Sequence, residues 1–159
     1  MTETSDTIGR DDPFTQSRFT RGQARVYETV LAELRSGQKR THWMWFIFPQ
    51  IDGLGDSAKT QYYAIKSVEE ARQYLNHPVL GTRLTECAET LLAIDGRSAA
   101  EIFGYPDDRK LKSSMTLFAH IAGPHSVFVR VLDKYFDGDQ DRRTLDLLGK
   151  LEDSASFIL

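Results

Sequence analysis

The sequence predicts an all-α protein, a compact single-domain bundle of about seven to nine mostly short helices. Three observations carry that prediction. Apolar residues recur at helical spacing in one segment after another. Serine-led capping signals stand at the head of several of those segments. No stretch alternates cleanly between apolar and polar residues over four or more positions, with the aromatic run at 43–48 as the one arguable exception. The chain has 159 residues, which suits one domain burying roughly two-thirds of its unfolded surface. Residues 1–12 read as a disordered polar tail, 13–150 as a single helical domain and 151–159 as a C-terminal tail.

From Pro13 onward helical signals dominate. In "RGQARVYETVLAELRSG" the residues Val26, Tyr27, Val30, Leu31 and Leu34 share one arc of a helical wheel, and Gly37 stops the helix. "WMWFIF" then places six large apolar residues in a row. Six contiguous residues cannot all face one side of a helix, so most of the run belongs in a core, with Phe46 and Phe48 as the first candidates. Phe48 precedes Pro49 and is biased to extended geometry. The run therefore reads as a buried helical turn over Trp43 to Phe46 that unwinds toward the proline. "QIDGLGDS" is a tight loop, and Ser57 heads a short helix carrying Tyr62, Tyr63 and Ile65.

Two capping boxes follow. "SVEE" at 67–70 opens a helix that ends near Asn76, ahead of His77-Pro78. The next helix spaces Leu80, Leu84, Cys87, Ala88 and Leu91 on one face and ends near "DGRS". "SAAE" at 98–101 starts a short helix through Phe103. "PDDRKLKSSMTLFAHIAG" has a proline and two aspartates in its first turn and a glycine at its end, the polarity a helix prefers. "HSVFVRVLDKYF" and "DRRTLDLLG" supply the last two.

Charge and composition narrow the function classes. Apolar residues make up 40% of the chain, charged residues 27%, and the net charge is −3, so duplex nucleic acid is not an expected partner. The longest apolar run is six residues, far short of a membrane span, and the N-terminus lacks the basic start and apolar stretch of a signal peptide. One cysteine, Cys87, excludes an intrachain disulfide and a multi-cysteine zinc site. A cytoplasmic protein is the expectation. There is no P-loop, nucleophile elbow, dinucleotide-binding glycine pattern or metal-ligand spacing, so neither a cofactor nor a metal is expected.

The helix beginning at Asp107 carries the most chemical information. At about 100° per residue, Leu111, Met115, Phe118 and Ala122 form an apolar band, extended by Leu117 and Ile121. Arg109, Lys112, Thr116 and His120 fall on the opposite, polar side. Lys110 and Ser114 fall inside the apolar arc, four residues apart. Either Lys110 snorkels above a satisfied core serine, or the pair holds an anion or a substrate hydroxyl. Asp107 and Asp108 are first-turn charges favoured by the helix dipole, or a general acid/base, or an ion-pair partner of Lys110. His42 is a cap or a site residue. Gln50, just after Pro49, offers a donor and an acceptor to a base, an amide or a sugar. Cys87 reads as an inert buried thiol.

"HWMWFIFPQIDGLGDS", "YAIKSVEEARQYLNHPVLGTRL", "IFGYPDDRKLKSSMTLF" and "LDKYFDGDQDRRTLDLL" together resemble a bacterial family of unknown function whose members are sometimes mislabelled calpastatin. The resemblance runs from about Phe19 to Leu148 and implies a compact all-α fold, with no established activity. A looser similarity, through "FP…DG…S…QYYAIK…EEA" and "KL…S…TLFA", is to the NADAR family of α-helical N-glycoside hydrolases, which act on ADP-ribosyl or ribosylamine-type substrates. In that family's motif a glutamate precedes the tyrosine pair; here Thr60-Gln61 stand before Tyr62-Tyr63, leaving Asp107 or Asp108 as substitutes. The expected site is a pocket walled by Trp43, Trp45 and Tyr62 and fringed by His42, Gln50, Lys110 and Ser114. Aromatic faces with a cation and neutral donors suit a nucleotide or ribosyl phosphate. Two functions follow: a hydrolase on such a substrate, with Lys110, Asp107, Asp108 and His42 as its catalytic candidates, or a non-catalytic ligand-binding or protein-interaction domain.

Overall fold

The protein is described here by a computed structural model covering residues 12–158, so the expected tail at residues 1–12 lies outside it except for Asp12. Ten helices lie among the described residues, and no strand. In order they are α1 (Ser17–Gln23), α2 (Tyr27–Arg35), α3 (Met44–Ile47), α4 (Ala58–Tyr63), α5 (Val68–Asn76), α6 (Leu80–Ala93), α7 (Ala99–Phe103), α8 (Asp107–Ala122), α9 (Val127–Phe136) and α10 (Arg142–Ile158). The helix count exceeds the expected range because α1 is separate. Val26, at φ −120° and ψ −7°, breaks the backbone just ahead of α2.

The caps explain the boundaries. Ser57, Ser67, Ser98 and Ser126 each accept a hydrogen bond from the backbone N–H three residues on. Ser98 and Glu101 form the full reciprocal box, at 3.1 and 2.8 Å. Ser67 and Glu70 do not. The Glu70 carboxylate accepts from the Lys66 N–H at 2.8 Å and from Arg18 at 2.7 Å, so a long-range ion pair displaces the local one. After α2, Gly37 turns the chain at φ +77°, a left-handed conformation in which a side chain is strained. Between α5 and α6 the backbones approach so closely that a Cβ on Gly81 would lie 1.9 Å from the Leu75 carbonyl oxygen.

Helix α8 forms the centre and packs against α5, α7, α9 and α10. Leu111, Met115, Leu117 and Phe118 have no exposed surface. The apolar face of α6 is buried in the same way, and burial pushes the Cys87 thiol up to about 12. Thr116, expected on the polar side of α8, is also buried. Its hydroxyl donates to the Lys112 carbonyl at 2.8 Å and accepts the Asp141 N–H at 2.9 Å, which ties the head of α10 to α8. The expected C-terminal tail is instead helical, since α10 continues to Ile158. Leu148 is buried and Leu147 and Leu151 pack beside it, so the apolar stripe continues past residue 150.

Two buried acids hold the aromatic region in place. Arg18 donates to the carbonyls of Phe14, Thr15, Tyr62 and Ala64 and to Glu70, with 6% and 1% of the two side chains exposed. Glu33 accepts from the N–H groups of Arg40 and Thr41, the Thr41 hydroxyl and the Trp43 indole. Burial opposes its ionisation, but those hydrogen bonds outweigh the burial and hold the carboxyl at about 2. Among the described residues no helix is long and apolar enough to cross a membrane.

Candidate functional site

A cleft of about 330 Å³ opens where the N-termini of α8 and α10 meet the loop after α3. From α8 and the residues just before it come Tyr105, Pro106, Arg109, Lys110 and Ser113; from the α10 side come Asp141 and Arg143. The opposite wall is Gln50, Leu54, Gly55 and Thr60. Local sequence positions each part. Pro106 starts α8 and presents its first two turns. Asp141 caps α10, its carboxylate accepting both the N–H (3.0 Å) and the hydroxyl of Thr144. A backbone bridge between Ile51 and Ile65 fixes the loop, with the Ile65 N–H donating to the Gln50 carbonyl at 2.8 Å.

Charge in the cleft is one-sided. Arg109, Lys110 and Arg143 line it against a single carboxylate, Asp141, which is engaged in capping. Among the described residues Arg143 donates once, to the Gly53 carbonyl at 3.1 Å. Lys110 lies 3.7 Å from Asp107, whose other oxygen is 2.8 Å from Lys39. That carboxylate is shared between two ammonium groups, so it offsets the positive field of the pair only in part. Both helices are long, with 16 and 17 residues, and each directs the positive end of its dipole here.

Of the residues singled out from sequence, Gln50 and Lys110 line this cleft together. Trp45 is close by, with the ammonium groups of Lys59 and Lys110 over its ring at 4.7 and 5.4 Å. Asp107 is the ion-pair partner just described. Asp108 accepts the Arg109 N–H at 2.9 Å. The remaining four lie elsewhere. Trp43 is 1% exposed, its indole bonded to Glu33 and its ring packed on Phe48 and Phe103: a core residue and not a wall. Phe48 is likewise core, whereas Phe46 is only partly buried. Tyr62 is 53% exposed, edge-on against Tyr63, and does not line the cleft. His42 is exposed and away from it. Ser114 is fully buried with its hydroxyl unpartnered among the described residues, and Ser113 lines the cleft in its place.

Sequence reasoning missed Tyr105, Ser113, Asp141 and Arg143, and placed Arg109 only on a polar face. One signal was available for Arg143. Arg142-Arg143 begin α10 with no acid in its first turn, where a helix dipole disfavours cations. Other concavities carry different chemistry. One near His77 presents Glu86 and Glu89, and one near Gly37 sets Arg35 and Arg97 beside Asp95. No group of three or more His, Cys, Asp or Glu among the described residues is arranged to hold a metal.

Fold and cleft together define an all-α, single-domain protein with a cationic cleft between two helix N-termini. The family described as a protein of unknown function (DUF1810) matches residues 13–148, and the chain belongs to it. It is similar to a solved structure, the conserved hypothetical protein Rv1873 from Mycobacterium tuberculosis, with 53% identity and a TM-score of 0.84. That match covers 86% of this chain and 98% of the other. No curated protein matches the chain.

Proposed function

We propose that the cleft binds a phosphorylated small molecule of the nucleotide or ribosyl phosphate class. One observation carries this: Arg109, Lys110 and Arg143 converge at the N-termini of two long helices, facing one carboxylate already bonded to Thr144. Backbone dipoles and cations of one sign favour an anion, and guanidinium groups suit phosphate oxygens in particular. Gln50, Ser113 and Thr60 add neutral partners for sugar hydroxyls.

Hydrolysis of an N-glycosidic bond has less support. Such chemistry calls for a carboxyl group that can protonate a leaving nitrogen or face an oxocarbenium-like centre. Asp107 is held between Lys39 and Lys110, and Asp108 bonds a backbone N–H. Asp141 is the one acid lining the cleft, so a catalytic version of this reading rests on it. Titration of the protein with ribose monophosphate by calorimetry tests the binding reading. The expected result is saturable binding that weakens as salt is raised, with about 2.7 kcal/mol of added stability at 100 times the dissociation constant. Absence of binding for both ribose monophosphate and the common mononucleotides at low salt overturns it.

A further inference from the structure

Phosphate binding leaves one conspicuous side chain in the cleft without a role. Tyr105 is 78% exposed, the highest value among the exposed large apolar residues described, and it lines the cleft mouth immediately before α8. A ring so exposed contributes little to the core. It packs against no other aromatic ring among the described residues; the Arg109 guanidinium lies over it, 5.5 Å from its centroid. A ring backed by a guanidinium and otherwise open to solvent is a stacking platform, since a planar π-system laid on it gains from both the ring and the cation.

Two further features restrict what stacks there. Gln50 lines the same cleft, and its side-chain amide bonds to no other described residue, so a donor and an acceptor are available for a base edge or a ribose hydroxyl. The volume of about 330 Å³ is at the lower end of the roughly 300–1,000 Å³ typical of small-molecule sites. That space suits one ring system, one sugar and one phosphate, and not a dinucleotide.

We propose that the ligand is a mononucleotide and that Tyr105 is the residue that distinguishes it from a bare sugar phosphate. The base stacks on Tyr105, the phosphate meets Lys110 and Arg143, and Gln50 binds the base edge or the ribose. This rests on the phosphate reading of the cleft, and the test separates the two.

The experiment titrates AMP, GMP, CMP, UMP and ribose monophosphate into the wild type, Tyr105→Ala, Tyr105→Phe and Lys110→Met. Tyr105 is so exposed that Tyr105→Ala should melt like wild type, which a urea melt checks. At least one mononucleotide should bind about tenfold or more tighter than ribose monophosphate, the scale of base–aromatic stacking. Tyr105→Ala should remove that advantage and leave ribose monophosphate binding unchanged, while Tyr105→Phe keeps it. Lys110→Met should weaken every probe. If ribose monophosphate binds as well as every nucleotide, or Tyr105→Ala leaves nucleotide affinity intact, the mononucleotide inference is overturned and the phosphate reading stands. If wild type binds none of the probes, both are overturned.

Discussion

Arg18 and Lys110 are both cations beside a carboxylate, yet their surroundings differ in kind. The Arg18 guanidinium directs its hydrogen bonds at four backbone carbonyls and Glu70, and Glu70 in turn accepts a backbone N–H from Lys66. Lys110 shares one acid with Lys39 at the rim of a cleft it occupies with two arginines. The first arrangement is complete and closed, and it joins α1 to the start of α5. The second leaves donors facing an open volume. Satisfied buried charge marks architecture, and under-partnered charge of one sign in a concavity is what the proposed phosphate site rests on.

The largest effect is expected at the closed end of this comparison. Arg18→Met strands Glu70, which is 1% exposed, and should cost about 3–5 kcal/mol in a urea melt. The double variant Arg18→Met/Glu70→Met should recover part of that loss, because no charge is then left buried. A single variant as stable as wild type would remove the architectural role.

Glu33 gives the next effect, read through pH. Its folded carboxyl sits near 2, well below the ordinary carboxylate value of about 4.5, so its ionised form favours the folded state above that ordinary value. This contribution, about 3 kcal/mol, should disappear as pH falls from about 4.5 through about 2. Glu33→Gln should flatten the stability profile over that window. Parallel profiles for the two proteins would break the account of how the Trp43 loop is held.

Asp107→Asn should cost about 1.5–3 kcal/mol in a urea melt, because Lys39, with 7% of its side chain exposed, loses its carboxylate partner. It should leave phosphate binding in the cleft intact or stronger, since the acid sharing Lys110 is removed. Loss of binding with unchanged stability would instead make Asp107 a ligand contact.

What could be read from the sequence was local. Helix class and most boundaries follow from Ser57, Ser67 and Ser98, the stop at Gly37 and the spacing of Leu80 to Leu91. What could not be read depends on distant packing. A four-residue helix offers no periodicity to say which ring faces inward, so Trp43 reads as a wall until Glu33, ten residues upstream, accepts its indole N–H. Thr116 reads as exposed until Asp141, 25 residues on, donates to it. The cleft combines segments around residues 50, 60, 105–113 and 141–143, of which the sequence nominated Gln50 and Lys110. Tyr105 and Arg143 line one cleft because α10 docks on α8, and no short-range pattern contains that docking.

The most direct test of the cleft is Lys110→Met, measured as a pair: one urea melt and one titration with ribose monophosphate. Lys110 keeps 26% of its side chain exposed, and Asp107 keeps Lys39 as a partner when Lys110 is lost, so stability should change by about 1 kcal/mol or less. Binding should weaken by about 1.5–3 kcal/mol, the scale of a hydrogen bond to a charged group. A variant that melts like wild type and also binds ribose monophosphate like wild type would contradict the account, leaving Lys110 a lysine that reaches solvent past an apolar arc.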